Sequence, residues 1–258
     1  MKIHPTAVVH PKAELAQGVK IGPYVIIHED VVIGVGTEIM AHAYIDRYTR
    51  IGADCRIFPS ASVGTDPQDI TFGGERTETI IGDRVVIREF VTINRGTGEG
   101  NGQTAVGDGS MLMAYSHVGH DCHLGRNVVL VNNAVMAGHV SIDDEAVIGG
   151  MTGIHQFVRI GTHAFIGAFS KPVKDVPPYM LGQGVDHFKL HGPNSIGLRR
   201  KGFSRETISA LKEAFRLIFR SQRVQQEALE EALAEFAEVP EVRLLVEFIR
   251  ATKRGVSR

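Results

Sequence analysis

The sequence predicts a parallel β-helix of hexapeptide repeats followed by a small C-terminal α-helical domain, and three observations predict it. A large apolar residue recurs at every sixth position from Ile3 to Val63, again at Ile81, Ile87 and Ile93, and, shifted by one residue, from Val106 to Ile166. Four residues after each of these anchors stands a smaller side chain, such as Ala43, Cys55, Ser110 or Val158, and never a large or charged one. From Ser204 onward the apolar spacing changes to one near 3.6. A period of six fits neither an amphipathic helix nor plain strand alternation, so the first 170 or so residues describe a chain turning through equal flat faces. In such a solenoid each coil covers the apolar face of the one before it.

Three hexads per coil give about nine or ten coils within residues 1–190. Two segments interrupt them. The first, GTDPQDITFGGERTETI at about 64–80, leaves the frame intact and reads as a loop replacing about one coil's worth of chain. The second, at about 95–105, carries Gly96, Gly98, Gly100 and Gly102 and shifts the frame by one. Insertions in solenoids cluster on one face and often carry binding. Glycine is common directly after the anchor, as at Gly34, Gly52, Gly107 and Gly125, which reads as a requirement of tight corners for unusual backbone angles. Residues 191–258 form the helical domain. Ser204 is the expected N-cap of its first helix, a second helix covers Val224 to Ala237, and a third begins near Pro240.

Composition narrows the class of function. With 258 residues and 43% hydrophobic content the chain can bury a sizeable core. A net charge of −1 gives no general case for nucleic-acid or membrane binding. The sequence shows no cleavable signal and no apolar run of spanning length, so the cytoplasm is the expected compartment. Cys55 and Cys122 both fall in the small inward column, which favours core packing over a disulfide or a reactive thiol. Between Arg199 and Arg223 eight Lys or Arg residues face only Glu206 and Glu213. Such a strip would suit a phosphate-bearing ligand or an acidic protein, or be a solvated helix face.

The chemistry concentrates in histidines of the later coils. Eighteen residues per coil stack positions 120, 138 and 156 in one column, with His139 and His155 each one residue from it and His117 half a hexad before. Coils about 4.8 Å apart put His120, His139 and His155 within reach of one ligand. Two chemistries could use them. An imidazole can deprotonate a hydroxyl and later protonate a leaving group, with Asp121 available to orient His120. Alternatively, three imidazoles could hold a zinc-like ion with one open position.

The segments HVGHDCHLG, NNAVMAGHVSIDD, IGGMTGIHQFVRIG, KDVPPYMLGQG and LRRKGFSRE closely resemble the UDP-N-acetylglucosamine O-acyltransferases of lipid A biosynthesis, a match that runs through the whole chain. The resemblance implies a left-handed β-helix, a homotrimer with sites between subunits, and transfer of a 3-hydroxyacyl group from acyl carrier protein to the 3-position of a UDP-amino sugar, the first step of that pathway. By it, His120 is the general base, Asp121 its helper, and the Gly138 N–H the donor to the thioester oxygen. Gln68, Asp69, His117, His139, His155 and Gln156 line the sugar and acyl site, and Asn194 and Arg200 lie near the nucleotide and its phosphates. It implies no metal and no dissociable cofactor, and it offers acyl carrier protein as the partner of the basic strip. Three positions depart from the family pattern. Thr71 stands where a lysine is usual and Ile196 where a glutamate is usual, which leaves open a 3-hydroxyl or a 3-amine as acceptor. Lys171 stands where long-chain members have glycine at the end of the acyl groove, so a shortened or reshaped groove and medium chain lengths are expected.

Overall fold

The computed structural model describes residues 2–221 and 223–258; Met1, the first residue of the predicted β-helix, lies outside the described residues. The chain winds as a triangular prism, a left-handed parallel β-helix whose three faces are parallel sheets. Face 1 starts with Lys2–Ile3, face 2 with Val8–Val9 and face 3 with Glu14–Leu15, and most strands are only two residues long. Each strand places its anchor inward and the preceding residue outward. Ile3 therefore pairs with Ile21, Val9 with Ile27 and Leu15 with Ile33, eighteen residues apart.

The interior is a stack of like side chains. Anchors from Ile21 to Ile166 are buried, as is the smaller column between them, whereas Ile3 is 42% exposed because no coil lies below it. Several polar members of the small column donate to the next coil's backbone, whereas the buried hydroxyls of Thr49 and Ser116 have no partner among the described residues. Thr37 Oγ1 reaches the Gly52 carbonyl at 2.8 Å, Ser110 Oγ that of Gly125 at 3.1 Å and Cys122 Sγ that of Ala137 at 3.1 Å. Cys55 and Cys122 are free and buried, and burial pushes the Cys122 thiol up to about 12.

Two expectations require correction. The first loop does not replace a coil. Ile51 pairs with Ile81, 30 residues away instead of 18, so twelve residues are added at the corner between faces 2 and 3 while the ladder continues around them. The second loop adds seven at the same corner of the next coil, since Ile81 pairs with Val106, 25 residues on. The glycines after the anchors are also not there for backbone angle. The left-handed residue of each corner lies three positions past the anchor and is usually not glycine: Tyr24, Asp30, His42, Asp121, His139 and Phe157 have φ between 56° and 65°. The glycines answer to coil stacking instead. A Cβ on Gly34 would lie 2.5 Å from the Gly52 carbonyl carbon, and one on Gly107 2.5 Å from that of Gly125.

The upper end of the prism is closed by a return of the chain. Met180–Gln183 extends face 1 in parallel and Lys189–Pro193 adds an antiparallel strand. Four α-helices follow: α1 Ser195–Arg200, α2 Arg205–Phe215, which continues into a π-turn at Arg216–Arg220, α3 Gln225–Glu235 and α4 Pro240–Arg250. Ser204 caps α2 through the Thr207 amide, as expected, and α1, capped by Asn194, was not anticipated. The tail then returns to the last coil, where buried Asp175 accepts from Thr252 Oγ1 at 2.7 Å and from the Arg159 amide at 2.9 Å.

Gly34→Ala forces that backbone contact apart, whereas Gly73, whose added Cβ would meet only Glu75 Oε2 at 3.4 Å, has room. Thermal or urea unfolding is expected to show a loss of about 2 kcal/mol or more for Gly34→Ala and less than about 1 kcal/mol for Gly73→Ala.

Candidate functional site

Both loops leave the prism at the corner between faces 2 and 3, and His120, Asp121, Gly138, His139, Gln156 and Phe157 occupy that same corner on the three coils above. The corner borders a cleft of about 440 Å³ lined by Gln68, Asn94, His117, His120, Gly138 and Gln156, among others. A regular ladder thus delivers residues distant in sequence to one edge.

Asp121 organises the centre. Its side chain is fully buried, and its Oδ2 lies 2.8 Å from His120 Nδ1. The Thr97 hydroxyl donates to Oδ2 at 2.7 Å, and the Thr97 amide lies 3.1 and 3.2 Å from the two carboxylate oxygens. Burial works to raise this carboxyl's pKa, but the hydrogen bonds from His120 and Thr97, with the nearby His139, hold it below the ordinary carboxylate range. An ionised carboxylate only accepts, so Nδ1 carries the proton and Nε2 is left as the acceptor. Above, the His139 ring meets His120 edge-on at 5.0 Å and stacks on Phe157 at 4.6 Å.

Gly138 fits against the His120 ring so closely that a Cβ there would lie 2.4 Å from Nε2. Its N–H has no acceptor among the described residues. At the corner between faces 3 and 1 the amide two residues past the anchor is capped by a carboxylate of the coil above, as at Ala53 by Asp83 and at Arg126 by Asp144, at 2.8 and 2.7 Å. Above Gly138 that place belongs to Gln156. The bare amide is therefore available to a ligand oxygen.

The other expected residues divide between this cleft and other places. His117 Nδ1 is 2.7 Å from Thr92 Oγ1, and burial, helped by His120, lowers the His117 pKa and favours its neutral form. Asp69 Oδ2 comes to 3.9 Å from His120 Nε2, and its other oxygen accepts from the amide and hydroxyl of Thr71 at 2.9 and 2.7 Å. His155 does not join the histidine cluster. It lies on the opposite side of the column from His139 and turns to the C-terminal tail, with Nδ1 3.3 Å from Arg254 Nη2. His120, Asp121 and His139 offer potential metal ligand atoms within 4.8 Å of one another, so Asp121 takes the third place given to His155 in the zinc alternative. Within that trio the 2.8 Å Nδ1–Oδ2 contact is a hydrogen bond.

Asn194 and Arg200 do not meet His120 within one chain. They line a larger, mainly apolar cavity of about 760 Å³ with Glu145, His163, Phe165 and Ile196, beside face 1. Lys171 stands above Gly153 in the outward column of face 2, as the Gly153 N–H to Ser170 carbonyl bond of 3.0 Å places it, and lines a third cavity with Lys174, Lys189 and Arg258. The basic strip is partly spent within the chain. Lys201 pairs with Glu145 at 2.6 Å, Arg216 with Glu213 at 2.8 Å, and Arg220 donates to the Leu190 carbonyl.

Sequence reasoning missed Thr97, Arg95 and Phe157. Arg95 is 1% exposed and pins the first loop through Asp66, Asp46 and the Gly64 carbonyl, with its guanidinium over Phe72. The glycine-rich break located Thr97, but an insertion lies outside the repeat and gives no column to read. Phe157 could have been found, since it is the corner residue directly above His139.

Comparison with known proteins places this geometry. The family model described as UDP N-acetylglucosamine O-acyltransferase, domain 2, matches residues 175–257, and that of the bacterial transferase hexapeptide (six repeats) matches residues 104–138. A Thermodesulfovibrio yellowstonii protein named acyl-[acyl-carrier-protein]--UDP-N-acetylglucosamine O-acyltransferase is 47% identical over 257 residues, covering 100% of this chain and 99% of its own. The structure of LpxA from Acinetobacter baumannii superposes with a TM-score of 0.96 at 41% identity over 99% of each chain. The structure of LpxA from Bacteroides fragilis, a UDP-N-acetylglucosamine acyltransferase, superposes with a TM-score of 0.97 at 42% identity, covering 99% of this chain and 100% of its own.

Because Asp121 is held below its unfolded pKa, the stability it contributes is present above about pH 4 and is lost as pH falls through its lower folded value. Asp121→Asn is expected to unfold at lower denaturant than the parent at pH 7, by about 1–3 kcal/mol, with the difference closing below about pH 4.

Proposed function

The chain belongs to the UDP-N-acetylglucosamine O-acyltransferase family, and on that premise we propose that it transfers a 3-hydroxyacyl chain from acyl carrier protein to the 3-hydroxyl of UDP-N-acetylglucosamine, with His120 as general base. The observation that carries this reading is the Asp121–His120 hydrogen bond of 2.8 Å beside the uncapped Gly138 amide on the next coil. In the reaction, His120 Nε2 takes the proton of the sugar hydroxyl as its oxygen attacks the thioester carbon. The Gly138 N–H donates to the oxyanion of the tetrahedral intermediate. On collapse the C–S bond breaks, and the His120 imidazolium returns the proton to the carrier's thiolate. Gln68, Asp69, His117, His139 and Gln156 surround the sugar and the acyl carbonyl. The acyl chain would run up face 2 toward Lys171, three coils above His117 and so about 14 Å away, which suits a medium chain.

Two features favour a homotrimer as the working form. An apolar ridge runs along the corner between faces 1 and 2, where Phe90, Tyr115, Met151 and Phe169 are 49–62% exposed. Cyclic assemblies join two different patches, so three prisms meeting at this ridge would set face 2 of one copy opposite face 1 of the next. Asn194 and Arg200, beside face 1, would then reach the cleft that holds His120 in the neighbouring copy. A guanidinium there suits the diphosphate of the sugar nucleotide. The reading assigns the protein to the cytoplasm, and among the described residues no helix is long and apolar enough to cross a membrane.

His120→Ala is expected to lower kcat by about 10²-fold or more with the oligomeric state unchanged by light scattering. Undiminished turnover would remove His120 from the role of base. Product released by mild alkali identifies the ester, whereas an alkali-resistant product would identify an amine acceptor.

A further inference from the structure

Thr97 lies in the glycine-rich insertion, outside every repeat, yet its hydroxyl and its amide are the two donors that the insertion presents to the buried carboxylate beside His120. The hydroxyl is itself fixed. The Gly100 amide donates to Thr97 Oγ1 at 3.1 Å, so the hydroxyl's own proton is directed to Asp121 Oδ2 at 2.7 Å. Gly100 admits no side chain, because a Cβ there would lie 2.3 Å from the Asp121 carboxyl carbon. The insertion is anchored in turn, with the Gly98 amide donating to Glu75 Oε1 at 2.9 Å across to the first loop. From these contacts we infer that Thr97 is a positioning residue of the acyl transfer, which fixes the Asp121 carboxylate and so sets the orientation and basicity of His120.

The chemistry follows from shared acceptor capacity. Oδ2 accepts from both the Thr97 hydroxyl and His120 Nδ1, so the hydroxyl draws off part of the charge that would otherwise stabilise the imidazolium. Removing it leaves a more basic and less firmly held carboxylate. His120 then titrates higher, and a larger share of it is protonated and unable to accept the sugar's proton. Substrate binding is untouched, because Thr97 is buried behind Asp121 and lines no part of the cleft.

This inference rests on His120 acting as base, and its test separates the two claims. Thr97→Val keeps the shape and removes the hydroxyl, while Thr97→Ser restores it. Thr97→Val is expected to lower kcat about tenfold, leave both KM values within about twofold, and move the acid limb of the pH–kcat/KM profile upward, with Thr97→Ser near the parent. Imidazole ¹⁵N shifts of His120, read without substrate, are expected to show its titration moving upward in Thr97→Val. A Thr97→Val enzyme with parental kcat, acid limb and ¹⁵N titration would overturn the inference, as would a loss of activity accompanied by proportionate unfolding and no change in that titration. Full activity of His120→Ala would instead overturn the general-base reading while leaving the ¹⁵N result to stand by itself.

Discussion

The structure depends on one repeated contact, the stacking of each inward anchor on the anchor one coil away, eighteen residues on wherever no loop intervenes. Ile21 on Ile39 and Leu130 on Ile148 are instances of the same requirement, and every coil must meet it. It fixes the spacing of backbones so tightly that the position after many anchors cannot carry a Cβ. It also fixes the corners, where an L-residue is held at a φ near 60° that costs roughly 1 kcal/mol in isolation. The ladders on both sides of each corner over-determine that conformation. Because the interior is the same in every coil, only corners and outward positions are free to differ.

Function is accordingly confined to an edge. The corner between faces 2 and 3 accepts twelve and seven extra residues on successive coils; the register shifts by one between Val63 and Thr65, where the first loop leaves face 2, and runs regularly on face 3. Those two loops join through Glu75 and the Gly98 amide, and Arg95 ties the first of them down. Burying Asp121 is costly by itself, and the cost is offset by donors from two places, His120 beside it and Thr97 in the second loop, while its backbone is held by the Asp121 amide donating to Thr104 Oγ1 at 2.8 Å. His139 and Asp121 are themselves left-handed corner residues, so the scaffold's local strain and the site's geometry coincide.

The legible part of this molecule was the periodic part. The anchors gave the faces, and the eighteen-residue coil put His120, Gly138 and Gln156 in one column, as the ladder has them. The same ruler failed where one residue decides a direction. His155 and His139 flank that column on opposite sides, and only His139 turns to His120. It failed again at the first loop, because an insertion of twelve residues preserves a frame of six and mimics a missing coil. Thr97 and Arg95 were illegible because loop contacts obey no period. Asn194 and Arg200 were read by resemblance, and within one chain they lie on a different edge from His120.

The central claim is that this edge, completed by a second copy, presents His120 to a sugar hydroxyl. A crystal structure of the protein with UDP-N-acetylglucosamine tests it most directly. The account predicts the sugar's 3-hydroxyl within about 3.2 Å of His120 Nε2 and the diphosphate against Arg200 of an adjacent copy. A nucleotide sugar bound wholly within one chain, in the cavity beside face 1 and away from His120, would contradict it.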